Sequence, residues 1–377
     1  MNEKMATRVI FFIAGVVTAT WAVLVPFAKM NTGVNDAVLG TLLLCLGGGA
    51  LIAMPLTGLL TSRFGCQKVI GVAVAIILLA MPGLSWLSSP LLLGVSLLIF
   101  GIGIGITDCA INVQAILIEK SSAKPLMSGF HGLFSVGGIA GAASMTGLMS
   151  LGLSVVIATL IVTFMVLILL LLSYRALLPY ANPAEGPIFA WPKGTVLILG
   201  LICFIIFMAE GTVMDWSALY LVESRHIPET LGGLGFAAFA IAMTVGRLTG
   251  DLIVGRLSAL KVVLSGALLA VIGFMLVIYA DPLILLLLGY LLIGLGSANI
   301  VPVMFSQIGK QTSMPQMVAV PAVTTLGYIG ILAGPAMIGY LAQQSSIAHG
   351  FMFVTALVIV AALLALRIRP LLSTPAE

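Results

Sequence analysis

The sequence predicts an all-α integral membrane protein of twelve transmembrane helices, arranged as two pseudo-symmetric six-helix bundles. Three observations carry this prediction: a scarcity of charge, twelve apolar stretches of spanning length, and landmarks that recur at one fixed offset. Of the 377 residues, 61% are hydrophobic and only 7% are charged, against about 25% charged in a soluble domain. So few charges cannot cover a water-facing surface, which leaves lipid as the solvent. The same composition excludes intrinsic disorder, which needs low hydrophobicity and high charge. A net charge of +4 without a basic run offers nothing that would track a nucleic acid backbone.

A spanning helix needs about 20 predominantly apolar residues. Stretches of that kind lie at about 9–30, 38–61, 68–87, 90–115, 126–149 and 152–174, then at about 194–221, 230–254, 261–280, 283–307, 317–342 and 348–366. The breaks between them are rich in polar and turn residues, as at Asn31 to Asp36, Ser62 to Lys68, Ser88 to Pro90 and Glu119 to Lys124. Continuous apolar runs exclude a β-barrel, whose strands alternate. The first stretch is too long for the apolar region of a cleavable leader and is expected to be the first span. Four cysteines, Cys45, Cys66, Cys109 and Cys203, show no metal or redox spacing, and they read as small free hydrophobes. Three of them fall inside spans and Cys66 in a short loop.

Orientation follows from Lys and Arg in short loops. With the amino terminus in the cytoplasm, thirteen of the sixteen Lys and Arg residues fall on the cytoplasmic side, only Lys29 and Arg225 fall outside, and Arg247 lies within a span. Both termini are therefore expected in the cytoplasm, and the membrane is expected to be the cytoplasmic membrane of a bacterium.

The longest polar break, Arg175 to Lys193, contains Pro179, Pro183, Pro187 and Pro192. It divides the chain into an expected bundle at 1–175, a linker at 176–193 and a second bundle at 194–377. Arg63 and Arg256, Gly101-Ile-Gly103 and Gly294-Leu-Gly296, and Gly141 and Gly334 are each 193 residues apart. Parallel repeats of this kind describe transporters whose site lies between the halves.

With these features in place, the segment Gly58-Leu-Leu-Thr-Ser62-Arg63-Phe-Gly65-Cys-Gln-Lys68 resembles the loop motif of the major facilitator superfamily, G-x-x-x-D-R-x-G-x-[RK]-[RK]. It departs at the acidic position, where Ser62 stands. The second-half copy, Asp251-x-x-x-Gly255-Arg256, also lacks the acid. Within that superfamily four segments resemble the fucose:proton symporter branch: Asp108 to Asn112, Phe130-His131-Gly132 with Gly137 and Gly138, Ala209-Glu210-Gly211 with Trp216 and Tyr220, and Asn299 to Pro302 with Ser306. That branch carries an acid in span one, whereas this chain has Thr18, Thr20 and Trp21 there. The resemblance implies the major facilitator fold, with a cavity lined by spans one, four, seven and ten. It also implies conformational roles for Gly58, Arg63, Gly65 and Arg256.

Ionisable groups within spans cost at least about 2.5–3.5 kcal/mol on insertion scales and are functional candidates by default. Asp108, His131, Glu210, Asp215, Arg247 and Asp251 form that set. A carboxylate facing a cavity while partly desolvated binds a proton more readily than one in water, which suits Asp108 to proton coupling, with Asn112 one turn away on the same face. Glu210 is a second proton or substrate group, and His131 could share a hydrogen bond with Asp108 and tune it. For each, the alternative is a satisfied group that ties helices together. Asp215 lies nearer the outer mouth, as a substrate or rim residue. Arg247 and Asp251, four apart on one helix face, read as a structural ion pair. Arg247 as an anchor for an anionic substrate is the sharper alternative. Trp21, Trp216 and Tyr220 could stack on a sugar whose hydroxyls Asn112 and Asn299 bind; Trp and Tyr also serve as interfacial anchors.

These residues point to secondary active transport by alternating access, with proton-coupled symport of a sugar or similar small polar solute as the leading expectation. Proton-driven efflux of a drug or metabolite is the alternative. No enzyme is expected, because His131, His226 and His349 form no cluster with a nucleophile or metal set, and no cofactor is expected. The expected partners are the solute, protons and the lipid bilayer, with the chain a monomer.

Overall fold

Water is absent from the bilayer core, so a spanning segment must satisfy its own backbone, and long apolar runs of Leu, Val, Ile and Ala do so as helices. The computed structural model describes residues 1–122, 124–183 and 190–373, with backbone alone at 36 and 37. Pro187 of the expected linker lies outside these residues. Among the described residues there is no strand. The helices are α1 (Glu3–Thr32), α2 (Asp36–Trp86), α3 (Pro90–Lys120), α4 (Met127–Ser150), α5 (Val155–Tyr174), α6 (Gly194–Leu219), α7 (Leu234–Arg256), α8 (Ala259–Tyr279), α9 (Leu283–Ser297), α10 (Ile300–Ile308), α11 (Gln316–Gln344), α12 (Ile347–Arg367) and α13 (Arg369–Leu372).

Eleven helical stretches among the described residues are long and apolar enough to cross a membrane, and one of them accounts for two of the twelve expected spans. Helix α2 has 51 residues. At 1.5 Å per residue it measures about 76 Å, more than twice the roughly 30 Å of hydrocarbon. Its single non-helical residue is Gly65, with φ 81° and ψ 158°. The break expected at Ser62 to Lys68 is therefore a kink at one glycine and not a loop, and Cys66 is buried within it. Those angles belong to a region that essentially only glycine enters.

The structure divides into two units. The first takes in Met1–Ile118, Leu133–Ala190 and Pro315–Pro321. Its first helix is capped by the Asn2 side chain, which accepts from the Met5 N–H, and ends at Gly33 in the left-handed region. The start of the expected linker is docked in this unit. The Cys66 N–H donates to the Tyr180 carbonyl and the Gln67 N–H to that of Leu178. A Cβ on Gly65 would lie 2.1 Å from the Pro179 carbonyl oxygen, so the strap demands glycine there for space as well as for φ. Gln114 completes the arrangement: its Nε2 donates to Thr7 Oγ1 at 2.8 Å, and its Oε1 accepts from the Leu178 N–H at 3.1 Å.

The second unit takes in Glu119–Gly132, Trp191–Met314 and Ala322–Glu377. Helix α6 continues into a π-helical turn at Tyr220–Ser224. Tyr220, Phe274, Tyr290 and Phe351 are fully buried and anchor its core. The tenth span is broken: α9 and α10 are separated at Ala298 and Asn299. Large apolar side chains on the outer faces stay open, Leu79 of the first unit being 82% exposed, as lipid contact requires.

Candidate functional site

The break in the tenth span begins with Pro302. Proline has no N–H, so the carbonyl four residues earlier loses its helical donor. That carbonyl belongs to Ala298, and Arg247 of α7 supplies the missing donor from Nε at 3.4 Å. The neighbouring residues return the bond, since Asn299 Nδ2 donates to the Gly246 carbonyl at 3.0 Å. Close approach makes this possible. A Cβ on Gly250 would fall 1.9 Å from Asn299 Oδ1, and one on Gly246 would fall 2.7 Å from the Ala298 Cβ. Glycines four apart allow such contact between helices in lipid.

The same guanidinium reaches α6. Arg247 Nη2 donates to Glu210 Oε1 at 3.0 Å and to Oε2 at 3.2 Å. Arg247 is 6% exposed and is the only Lys, Arg, Asp or Glu among the described residues that counts as buried. A guanidinium removed from water needs a charged partner, and Glu210 provides it. The pairing joins residues 37 apart in sequence. Two opposite charges within spans was the signal that could have suggested it. Asp251, one turn beyond Arg247, accepts the Gly129 N–H at 3.0 Å. His131 packs against Phe305, with ring centroids 5.8 Å apart, and lies within electrostatic reach of Arg247.

In the first unit, α3 carries Thr107, Asp108 and Asn112. Asn112 Nδ2 donates to the Asp108 backbone carbonyl at 2.8 Å. Asn112 is 1% exposed, yet its Oδ1 meets no donor among the described residues, and neither does Thr107 Oγ1 find a partner. The half-buried Asp108 carboxylate makes no hydrogen bond or ion pair among the described residues. Trp21 of α1 is buried.

The remaining candidates sit elsewhere. Asp215 is exposed. Trp216 donates from Nε1 to the Pro335 carbonyl at 3.2 Å. Tyr220, 1% exposed, donates to the Val277 carbonyl and accepts from Arg225 Nε, both at 3.1 Å. Gly58 sits where a Cβ would lie 1.8 Å from the Met317 carbonyl oxygen. Arg63 stacks over Phe64 at 5.3 Å, and Arg256 is exposed at the end of α7.

The family model of the Major Facilitator Superfamily matches residues 7–318 and 199–377. The chain belongs to that superfamily. A Yersinia pestis transporter of the same type is 47% identical over 352 residues, covering 93% of this chain and 92% of that one. Among solved structures, the E. coli fucose:proton symporter superposes with a TM-score of 0.79 at 16% identity, covering 97% of this chain and 98% of that one. A bacterial homologue of the iron transporter ferroportin gives 0.78 at 14% identity, covering 97% and 99%. At these identities the likeness is one of fold. As a member of the Major Facilitator Superfamily, the chain is a multi-pass membrane transporter and not an enzyme.

Proposed function

We propose that this transporter is secondary active and moves a small polar solute together with protons, by alternating access. The observation that carries the proposal is the Asp108 carboxylate, which stands within a span without a bonded partner among the described residues, beside the unmet polar atoms of Thr107 and Asn112. An unmet buried polar atom costs about 1–3 kcal/mol, and a charge within a span costs more. A proton on Asp108 and hydroxyls of a sugar-like solute on Asn112 and Thr107 would relieve both. The Glu210–Arg247 pair supplies a second titratable centre, and Trp21 an apolar surface.

The fold does not choose the solute, since the same architecture serves a fucose:proton symporter and a homologue of an iron transporter. The excess of Lys and Arg in one set of loops supports a cytoplasmic membrane with both termini inside. Monomeric operation is part of the proposal.

The test is reconstitution in liposomes holding a pH-sensitive dye, with sugars, sugar acids and lipophilic cations added outside. Lumenal acidification by one solute, abolished in Asp108→Asn, supports symport. Unimpaired counterflow in Asp108→Asn without proton movement for any solute would remove the proton role of Asp108. Expulsion of a lipophilic cation as protons enter would establish efflux instead.

A further inference from the structure

The Glu210–Arg247 pair has the form of an exchangeable carboxylate site. Three features of the second unit distinguish it from a purely structural bridge. First, Arg247 is held independently of Glu210, because its Nε donates to the Ala298 carbonyl that Pro302 leaves free. The guanidinium keeps one anchor if Glu210 lets go. Secondly, the site lies at the proline irregularity between α9 and α10, where a spanning helix leaves a backbone carbonyl for a neighbouring helix or a ligand to satisfy. Thirdly, Asn299, on the same break and 7% exposed, has an Oδ1 with no donor among the described residues; it packs against Gly250, three residues along α7 from Arg247, so an unmet acceptor borders the residues that hold the cation.

We infer that the transported solute is a hydroxylated carboxylate, and that its carboxylate replaces Glu210 on the Arg247 guanidinium when Glu210 takes up a proton. This inference rests on the proton-coupled reading above. The balance is simple. A proton from the solute's side forms the Glu210 O–H bond, the Glu210–Arg247 ion pair breaks, and the solute carboxylate forms an ion pair with Arg247. One positive and one negative charge enter together, so the cluster keeps its net charge and the guanidinium is never left alone in a low dielectric, where it would be costly. A hydroxyl of the solute donates to Asn299 Oδ1. On the opposite side Glu210 returns its proton and reclaims Arg247, which expels the carboxylate.

The surroundings keep this exchange local. Cys203 on α6 lies within electrostatic reach of Glu210, and His131 lies within reach of Arg247. Asp251 follows Arg247 by one turn and holds the Gly129 N–H. Helices α9, α10 and α11 carry no Asp, Glu, Lys, Arg or His, and α12 carries only His349 and Arg367, near its two ends.

The experiment uses the full chain in liposomes with an entrapped pH dye. D-glucuronate and D-gluconate are compared with D-glucose and D-sorbitol, with and without a potassium diffusion potential set by valinomycin. The acids are expected to acidify the lumen and accumulate, and an inside-negative potential is expected to raise their initial rates, because the proton on Asp108 enters in addition to the proton and carboxylate that balance at Glu210 and Arg247. Glu210→Gln, which mimics the protonated state, retains glucuronate counterflow but shows a weaker pH dependence and lower uphill accumulation than wild type, the proton on Asp108 alone remaining. Arg247→Lys weakens glucuronate competition about tenfold or more, because an ammonium lacks the planar fork. Proton-coupled accumulation of glucose or sorbitol, with the acids neither entering nor competing, overturns the carboxylate class and leaves proton coupling intact. Counterflow without proton movement for any solute overturns both readings. Glu210→Gln that behaves as wild type in pH dependence and accumulation overturns the exchange. The wild-type panel and Glu210→Gln decide the matter even if Arg247→Lys fails to fold.

Discussion

Arg247 donates from Nε to the carbonyl of Ala298, four residues before a proline that has no N–H to offer that carbonyl. A helix break and a buried charge therefore depend on one another across two elements. Pro302 creates the acceptor and Arg247 satisfies it, while Glu210 balances the charge.

Pro302→Ala restores the missing donor and makes Arg247 compete for its own anchor. Removing proline from a helix interior relieves up to about 3 kcal/mol of helix cost, so thermal stability in detergent is expected to hold or rise. Solute uptake is expected to fall about tenfold or more as the break closes. Retained uptake with raised stability would show that the break is packing alone.

Gly65→Ala places a Cβ against the Pro179 carbonyl at a backbone conformation that costs other residues about 1–3 kcal/mol. The variant should unfold several degrees lower in a fluorescence melt. It should also expose the segment from Arg175 to Pro183 to added protease.

Gln114→Leu removes the bond that ties the strap to α3 and the one that ties α3 to α1. The Leu178 N–H is then buried without an acceptor, at a cost of about 1–3 kcal/mol. The same protease should cut the strap faster, and the double variant with Gly65→Ala should be less than additive, since both act on one contact.

Asp251→Asn and Asp251→Ala separate charge from hydrogen bonding at the start of α4. The Gly129 N–H lies in the first turn of α4, where donors lack helical partners, and Asp251 caps it from another helix. Asn keeps an acceptor and should cost a few tenths of a kcal/mol, whereas Ala should cost about 0.5–2 kcal/mol. Equal melting temperatures for the two variants would assign no weight to the cap.

Much of the architecture was readable residue by residue. The long apolar runs announce the spans, and the polar residues around Arg63 mark the division between the two pieces of α2. What could not be read was the form of that separation, because a loop and a glycine kink share the same composition and differ only in what packs on them. Asp108 and Asn112 were placed one turn apart by helical spacing, and the bond from Asn112 to the Asp108 carbonyl follows that spacing. Tyr220 was legible as an aromatic but not as a residue whose hydroxyl is engaged by Val277 and Arg225.

The sequence by itself determined the solvent, the helical class and the number of spans. Transfer to lipid is decided stretch by stretch, from local composition and length. Only the tertiary structure decided that Arg247 joins Glu210 and Ala298, and that the strap after α5 seats on Gly65. Those contacts join residues 37, 51 and 114 positions apart, and tertiary packing rather than sequence spacing brings them together.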